Sequence, residues 1–244
     1  MGKLLIAAYG VFCYLFGVSA LLAFYAYMQG LIPFNLAEIP YSGAMVYLLP
    51  VALMLVWGIQ HSIMPRRGFK AKVYGVLPQA LERPTFLLGT GLTLWLMLLC
   101  WPTLDVVIWS VENPAVKYLL HGISTAGFLY LFLASFVINH FELFGLQQVY
   151  VNLVGKPMPD VPFKETFMYR FDRHPLMTGV LITGWVSPHM TLDHLLFIGL
   201  LSAYIVIGIS LEERDLRAKH GESYGDYAER VHSVVPTFYQ ETRT

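Results

Sequence analysis

Leu176-Met-Thr-Gly-Val-Leu-Ile-Thr-Gly-Trp-Val186, then Ser187-Pro188-His189, then Leu192-Asp-His-Leu-Leu-Phe-Ile-Gly-Leu-Leu-Ser-Ala-Tyr-Ile-Val-Ile-Gly-Ile-Ser-Leu211: two apolar runs flank a short polar break. A helix needs about 20 apolar residues to cross a hydrocarbon core of about 30 Å. The second run is long enough. The first is too short to cross upright by itself. Together they read as a helical hairpin whose first arm is short or extends upstream into residues 168–174. Polar residues crowd both ends, with Tyr169-Arg-Phe-Asp-Arg-His-Pro175 before the hairpin and Glu212-Glu-Arg214 after it. Ionisable groups held against a membrane are costly, so such a cluster is a candidate site by default.

Outward from the hairpin, four more apolar runs have spanning length, at about 4–28, 43–63, 85–109 and 115–138. Gly17, Pro50, Gly89 and Gly91 lie within them, as membrane helices tolerate. Composition agrees. Charged residues make up 13% of the 244-residue chain, hydrophobic ones 56%, and mean hydropathy is +0.56. A soluble domain carries about 25% charged residues, so this chain cannot coat a water-facing surface. The expected fold is all-α, a polytopic membrane helical bundle. It has four spanning helices plus the C-terminal hairpin, five to six in all, and an amphipathic tail helix in the cytoplasm. Residues 1–138 would form the first four helices. Residues 139–244 would form the functional core.

Lys3 followed by an apolar run to about Tyr27 looks like a secretory leader, but the run is of spanning length and no small-residue cleavage motif follows; it reads as a retained helix. Basic residues fix an orientation. Arg66, Arg67, Lys70, Lys72 and Arg83 follow the second run; Lys156, Lys164, Arg170 and Arg173 follow the fourth; Arg214, Arg217, Lys219 and Arg230 follow the hairpin. The segments near 30–42, 105–114 and 187–194 have no Lys or Arg. By the positive-inside rule the basic segments, both termini and the polar cluster are cytoplasmic, in a multi-pass protein of the cell's inner membrane. No basic stripe or motif suggests nucleic acid as a partner. Cys13 and Cys100 lie in apolar runs without disulfide or zinc spacing, and no metal site is expected.

Within the cluster, Pro175 suits the first turn of a helix because it has no N–H to leave unpaired. The helix start beside Arg173 and His174 then suits an anionic group. Gly179, one turn in, permits close approach of backbone or ligand. Arg217 stands four residues beyond Glu213, at pairing distance on a helix, which leaves Glu212 open to another partner. Farther on, Tyr224 and Tyr227 share one face of a short amphipathic helix, where interfacial anchoring is their ordinary role.

Arg173-His-Pro-x-x-x-Gly179, a hairpin, Glu212-Glu213, then Gly221-Glu-x-Tyr-x-x-Tyr227 and a late Pro236 resemble the isoprenylcysteine carboxyl methyltransferase-like superfamily of membrane methyltransferases, over about 160–236. Asn139-His-Phe-Glu-Leu-Phe-Gly-Leu-Gln-Gln148 and Glu212-Glu-Arg-Asp-Leu216 are similar to the branch holding NnrU-like proteins and the methanethiol S-methyltransferases. The resemblance implies S-adenosyl-L-methionine as methyl donor and a small thiol, methanethiol, as acceptor, with dimethyl sulfide as product. It places cofactor contacts at Tyr169, His174, Pro175, Leu176, Met177 and Glu212, a backbone lining at Val161, Pro162, Phe163 and Lys164, and a further contact at Gln147 or Gln148. Arg173, Gly179 and Tyr224 join this set from the reading of the residues.

Two departures from the family pattern bear on the substrate. Met177 replaces a usual tyrosine. Gly208 replaces an arginine that the carboxyl methyltransferases place one turn before the glutamate, where it would hold a substrate carboxylate; its loss favours an uncharged thiol. An alkyl thiol is mostly neutral at cytoplasmic pH and reacts as thiolate, so a base is sought. His140 is the first candidate, His61 the second, and Asp172 or Tyr169 a possible proton relay. Other readings remain open: another small or prenylated acceptor, an NADPH-dependent membrane reductase, or an accessory membrane protein. Oligomeric state is not legible.

Overall fold

A computed structural model describes residues 2–73, 78–104, 106–159 and 167–234. The protein is an all-α membrane bundle. Among the described residues, five helices are long and apolar enough to cross a bilayer: Lys3–Met28, Met45–Ile63, Gln79–Cys100, Pro114–Ile138 and Leu192–Lys219. In chain order the elements are α1 (Lys3–Met28), α2 (Met45–Ile63), α3 (Arg67–Val73), α4 (Glu82–Cys100, preceded by a 3-10 turn at Gln79–Leu81), β1 (Val107–Ser110), α5 (Pro114–Ile138), α6 (His140–Leu143), α7 (Leu146–Val154), a 3-10 turn at Phe167–Arg170, α8 (Pro175–Trp185), β2 (His189–Thr191), α9 (Leu192–His220) and α10 (Glu222–Arg230). They divide into two compact units. The first comprises residues 1–107, 139–161 and 191–197; the second comprises 108–138, 162–190 and 198–244.

In the first unit, small residues decide how closely the helices pack, as in membrane bundles where no hydrophobic drive separates helix from lipid. A Cβ on Gly17 of α1 would sit 2.5 Å from Leu87 of α4, and one on Gly91 of α4 would meet Phe16 at 3.0 Å and the Gly17 backbone at 3.3 Å. Between α2 and α4 the contact is polar. Thr90 Oγ1 donates to Gln60 Oε1 at 3.3 Å, and Gln60 Nε2 donates to the Phe86 carbonyl at 3.3 Å. The third apolar run stops earlier than its composition suggests, at Cys100 rather than near 109. Pro102 explains this, since the residue before a proline is pushed from helical to extended backbone. Trp101 accordingly has φ −72° and ψ 126°. Its indole N–H donates to the Asp193 carbonyl at 3.1 Å.

In the second unit, α5 and α8 run antiparallel. Ser124 Oγ donates to the Thr183 carbonyl at 2.8 Å, and a Cβ on Gly127 would meet Ile182 at 2.6 Å. The hairpin break falls where the sequence places it, with α8 ending at Trp185 and β2 beginning at His189. β1 and β2 form a two-stranded ladder, and the Val111 N–H extends it to the Pro188 carbonyl at 2.9 Å. At 11 residues, α8 is about 16 Å long at 1.5 Å per residue, so the first arm is short. Residues 171–174 upstream of it are not helical.

Candidate functional site

The second unit gathers most of the polar cluster around one carboxylate. Glu213 Oε1 accepts from Arg173 Nε at 3.0 Å and Nη2 at 2.7 Å, from Ser233 Oγ at 3.2 Å, and pairs with His174 Nε2 at 3.1 Å. The side chains of Arg173 and Glu213 are only 10% and 16% exposed. Arg173 therefore takes the place expected of Arg217 at Glu213. The reason is geometric. Arg173 arrives on a loop that brings its planar fork in with both edges usable. The Arg217 guanidinium instead lies 5.9 Å above the Tyr224 ring.

Residues 228–234 hold this loop in place. The Arg173 N–H donates to the His232 carbonyl at 3.0 Å, its guanidinium donates to the Ala228 and Val231 carbonyls, and Asp172 forms a parallel bridge with His232. Thr178 Oγ1 donates to the Val234 carbonyl. The tail thus folds back along the entrance of α8. Tyr224 and Tyr227 are 1% and 2% exposed and pack on Val231, with Leu216 beside them. They are core residues of the α9–α10 corner rather than interfacial anchors. The Tyr227 hydroxyl donates to the Tyr169 carbonyl at 2.7 Å, fixing the 3-10 turn that presents Tyr169.

Asp172 is fully buried. Its Oδ1 accepts from the His174 N–H at 2.9 Å and its Oδ2 from the Tyr130 hydroxyl at 3.3 Å. It steadies the start of α8, where Pro175 occupies the first turn. Burial raises the Asp172 pKa, and these hydrogen bonds oppose the rise. Burial also drives the Tyr169 phenol well above its ordinary value, and the negative charge of Glu212 adds to that. Tyr169 is therefore a neutral hydrogen-bond donor beside an acid.

Glu212 and Glu213 have different surroundings. The Glu212 carboxylate is 50% exposed and lies 3.6 Å from His174 Nδ1. Burial alone would lower the His174 pKa; the two carboxylates outweigh it and raise it. A raised folded pKa stabilises the fold fully below the ordinary value of about 6.5, and that contribution fades as pH climbs through the folded value. Melting temperature in detergent is therefore expected to fall from about pH 6 to pH 8. His174→Gln should flatten that slope. A slope unchanged in the variant would assign it to other groups.

Leu176 and Met177 are half-buried in the first turn of α8. The close approach expected at Gly179 is to backbone: a Cβ there would lie 2.6 Å from Leu131 Cβ and 2.7 Å from the Gly127 carbonyl oxygen. Val161, Pro162, Phe163 and Lys164 lie outside the described residues. His61, His140, Gln147 and Gln148 belong to the first unit. There, His61 stacks on Trp57 and its Nδ1 is 3.2 Å from Thr90 Oγ1. His140 is buried, its Nε2 2.9 Å from the Tyr14 hydroxyl, and burial lowers its pKa. Gln147 Oε1 accepts from Asn139 Nδ2 at 2.6 Å.

Residue reading missed Glu213 as the hub, along with Tyr130, Ser233 and the carbonyls of residues 228–234. The signal available for Glu213 was its place beside Glu212. The tail contributes mainly backbone carbonyls, from more than fifty residues away, and a carbonyl leaves no mark in the tail's side-chain identity.

No family model matches the chain, and no solved structure matches it. Curated relatives do. Methanethiol S-methyltransferase 1 of Bradyrhizobium diazoefficiens is 37% identical, with 91% of this chain and 81% of the relative covered. Methanethiol S-methyltransferase of Mycobacterium tuberculosis is 38% identical, with 79% of each covered. That of Crocosphaera subtropica is 33% identical over 97% of this chain and 93% of its own. With identity at this level along nearly the whole length, and a membrane bundle whose polar cluster gathers on the residues quoted above, the chain belongs to the methanethiol S-methyltransferase family of membrane methyltransferases.

Proposed function

We propose that the protein transfers the methyl group of S-adenosyl-L-methionine to methanethiol, releasing dimethyl sulfide, at the cytoplasmic face of the inner membrane. The observation that carries the assignment is the division of labour between the paired acids. Glu213 is consumed by Arg173, His174 and Ser233, while Glu212 keeps an exposed carboxylate. A donor with an ammonium group and ribose hydroxyls suits that carboxylate. A protonated His174 and the start of α8 suit its carboxylate end, and Tyr169 offers a neutral phenol donor. Arg173, Pro175, Leu176, Met177 and Tyr224 shape and support the same surroundings.

When bound, this cofactor supplies an electrophilic methyl group on a sulfonium. Glu212, His174 and Tyr169 would hold that donor, which would lose its methyl to the thiol sulfur and leave as the neutral thioether, the thiol proton passing to solvent. Positioning of the two sulfurs is what the chain contributes most directly. His174, held by two carboxylates and so favoured as a cation, serves as a binding group rather than the base. Gly208 stands one turn before Glu212 and its Cβ position has open space around it. A glycine presents no side-chain cation there, which suits an uncharged acceptor. The basic segments that follow α2, α5 and α9 support a cytoplasmic location for this end of the protein.

Purified protein in lipid, given methanethiol and methyl-labelled cofactor, is expected to release labelled dimethyl sulfide into the headspace. Glu212→Ala should weaken S-adenosylhomocysteine binding by about tenfold or more, with little change in melting temperature. Near-wild-type affinity in that variant would remove Glu212 from the site. Labelled product absent with methanethiol but present with a larger thiol would overturn the acceptor and keep the donor.

A further inference from the structure

The first unit holds a polar recess on which the proposed methyl transfer does not draw. Its volume is about 340 Å³, and its walls include Gln79, Glu82, Arg83, Gln148, Asn152 and Lys156. These residues come from the start of α4 with the turn before it, from α7 and from the segment after it. The neighbouring core of Ile6, Ala80, Leu81 and Val149 ties this region to the first turn of α1. The recess therefore sits at the ends of two membrane-crossing helices, where hydrocarbon gives way to headgroups and water.

Charge and hydrogen bonding there are both incomplete. Glu82 is neutralised by Lys70. Arg83 and Lys156 have no ion-pair partner among the described residues, so the walls present surplus positive charge. Gln148 Nε2 donates to the Glu142 carbonyl at 3.1 Å, which fixes the direction of its amide. Its Oε1 is nevertheless buried without a hydrogen-bond partner among the described residues, and so is Asn152 Oδ1. Residues 148 and 152 are one turn apart and share a face of α7. A buried acceptor left unpaired costs about 1–3 kcal/mol, so two side by side point to a ligand that brings donors.

The ligand must combine an anion, for Arg83 and Lys156, with N–H or O–H groups, for the two amide oxygens, at headgroup depth. We propose that the recess binds a phospholipid with a protic headgroup, ethanolamine or glycerol. Arg83 and Lys156 hold its phosphodiester, and Gln148 Oε1 and Asn152 Oδ1 accept from the headgroup. A choline headgroup offers the same phosphate without a donor and is disfavoured.

Native mass spectrometry of the full chain in detergent tests this, with phosphatidylethanolamine, phosphatidylglycerol and phosphatidylcholine of matched acyl chains. Retention of one or both protic lipids about tenfold above the choline lipid is expected. The double variant Arg83→Gln, Lys156→Gln should lose that adduct. Asn152→Leu should narrow the preference over choline and, having removed a buried acceptor, raise the melting temperature in lipid-free detergent. Equal retention of all three lipids, or an adduct unchanged in the double variant, would overturn the proposal. Displacement by soluble phosphoethanolamine would assign the recess to a water-soluble anion instead. Displacement by S-adenosylhomocysteine would give it to the cofactor and also revise the proposed site, whereas lipid binding that fails alone leaves the methyl transfer untouched.

Discussion

Glu213→Ala is expected to destabilise the second unit by roughly 3–5 kcal/mol, the usual cost of stripping one partner from a buried ion pair. The loss comes less from the missing attraction than from what stays behind. Arg173 is 10% exposed and His174 4% exposed at the side chain, and removing this carboxylate takes the ion-pair partner from Arg173 and one of two neighbouring carboxylates from His174. The Arg173 guanidinium would keep its carbonyl contacts at Ala228 and Val231 but lose its counter-charge. Glu213→Gln should fall between, since an amide oxygen still accepts while carrying no charge. Denaturant or thermal unfolding in detergent micelles measures the ranking. A loss under about 1 kcal/mol would mean that the pair behaves like a surface salt bridge. Glu212→Ala is the internal control, because its carboxylate is half-exposed and supports no comparable network.

Gly179→Val is expected to be the other severe change. Even the first carbon of a side chain at residue 179 would meet Leu131 Cβ at 2.6 Å and two backbone atoms at 2.7 Å. Those atoms belong to α5 and have no rotamer to change, so relief requires α5 and α8 to separate. Overpacking of a well-filled contact costs about 1–3 kcal/mol, occasionally more, and valine adds two methyl groups beyond alanine. Gly199→Ala in α9 offers the comparison, because a Cβ there meets nothing within 4 Å. Melting temperature and yield of folded protein in detergent should drop for Gly179→Val and hold for Gly199→Ala. Equal tolerance of both would mean that the α5–α8 contact is looser than its backbone distances indicate.

The bundle was legible because lipid leaves a chain few options. Backbone groups without water must pair within their own segment, so spanning-length runs become helices and their breaks become turns, as at Ser187-Pro188-His189. Pro102 carried information as well, but a hydrophobicity-led reading extended α4 past it to residue 109. Of the polar cluster, the convergence of Tyr169, Arg173 and His174 with Glu212 and Tyr224 within one unit was readable from their pattern. Which acid of the pair is buried was not. An (i, i+4) rule assigns Arg217 to Glu213, and that rule holds for an isolated helix; a loop from forty residues earlier out-competes it because burial strengthens the longer-range pair. Gly179 shows the same limit. A glycine near a ligand and a glycine against a helix look alike in sequence, and only the neighbour's backbone distinguishes them.

The seam between residues 172–178 and residues 228–234 also sets an order of events during synthesis. Chains are made from the N-terminus, at about 5–20 residues per second. Arg173, His174 and the first turn of α8 leave the ribosome well before Ala228, Val231 and His232, whose carbonyls and backbone close around them. A nascent chain can insert its membrane helices and still lack the contacts that close around Arg173 and His174. That cluster closes only after residues 228–234 have been released, so a polypeptide that stalls before about residue 228 can be membrane-embedded with Arg173 still lacking its carbonyl partners.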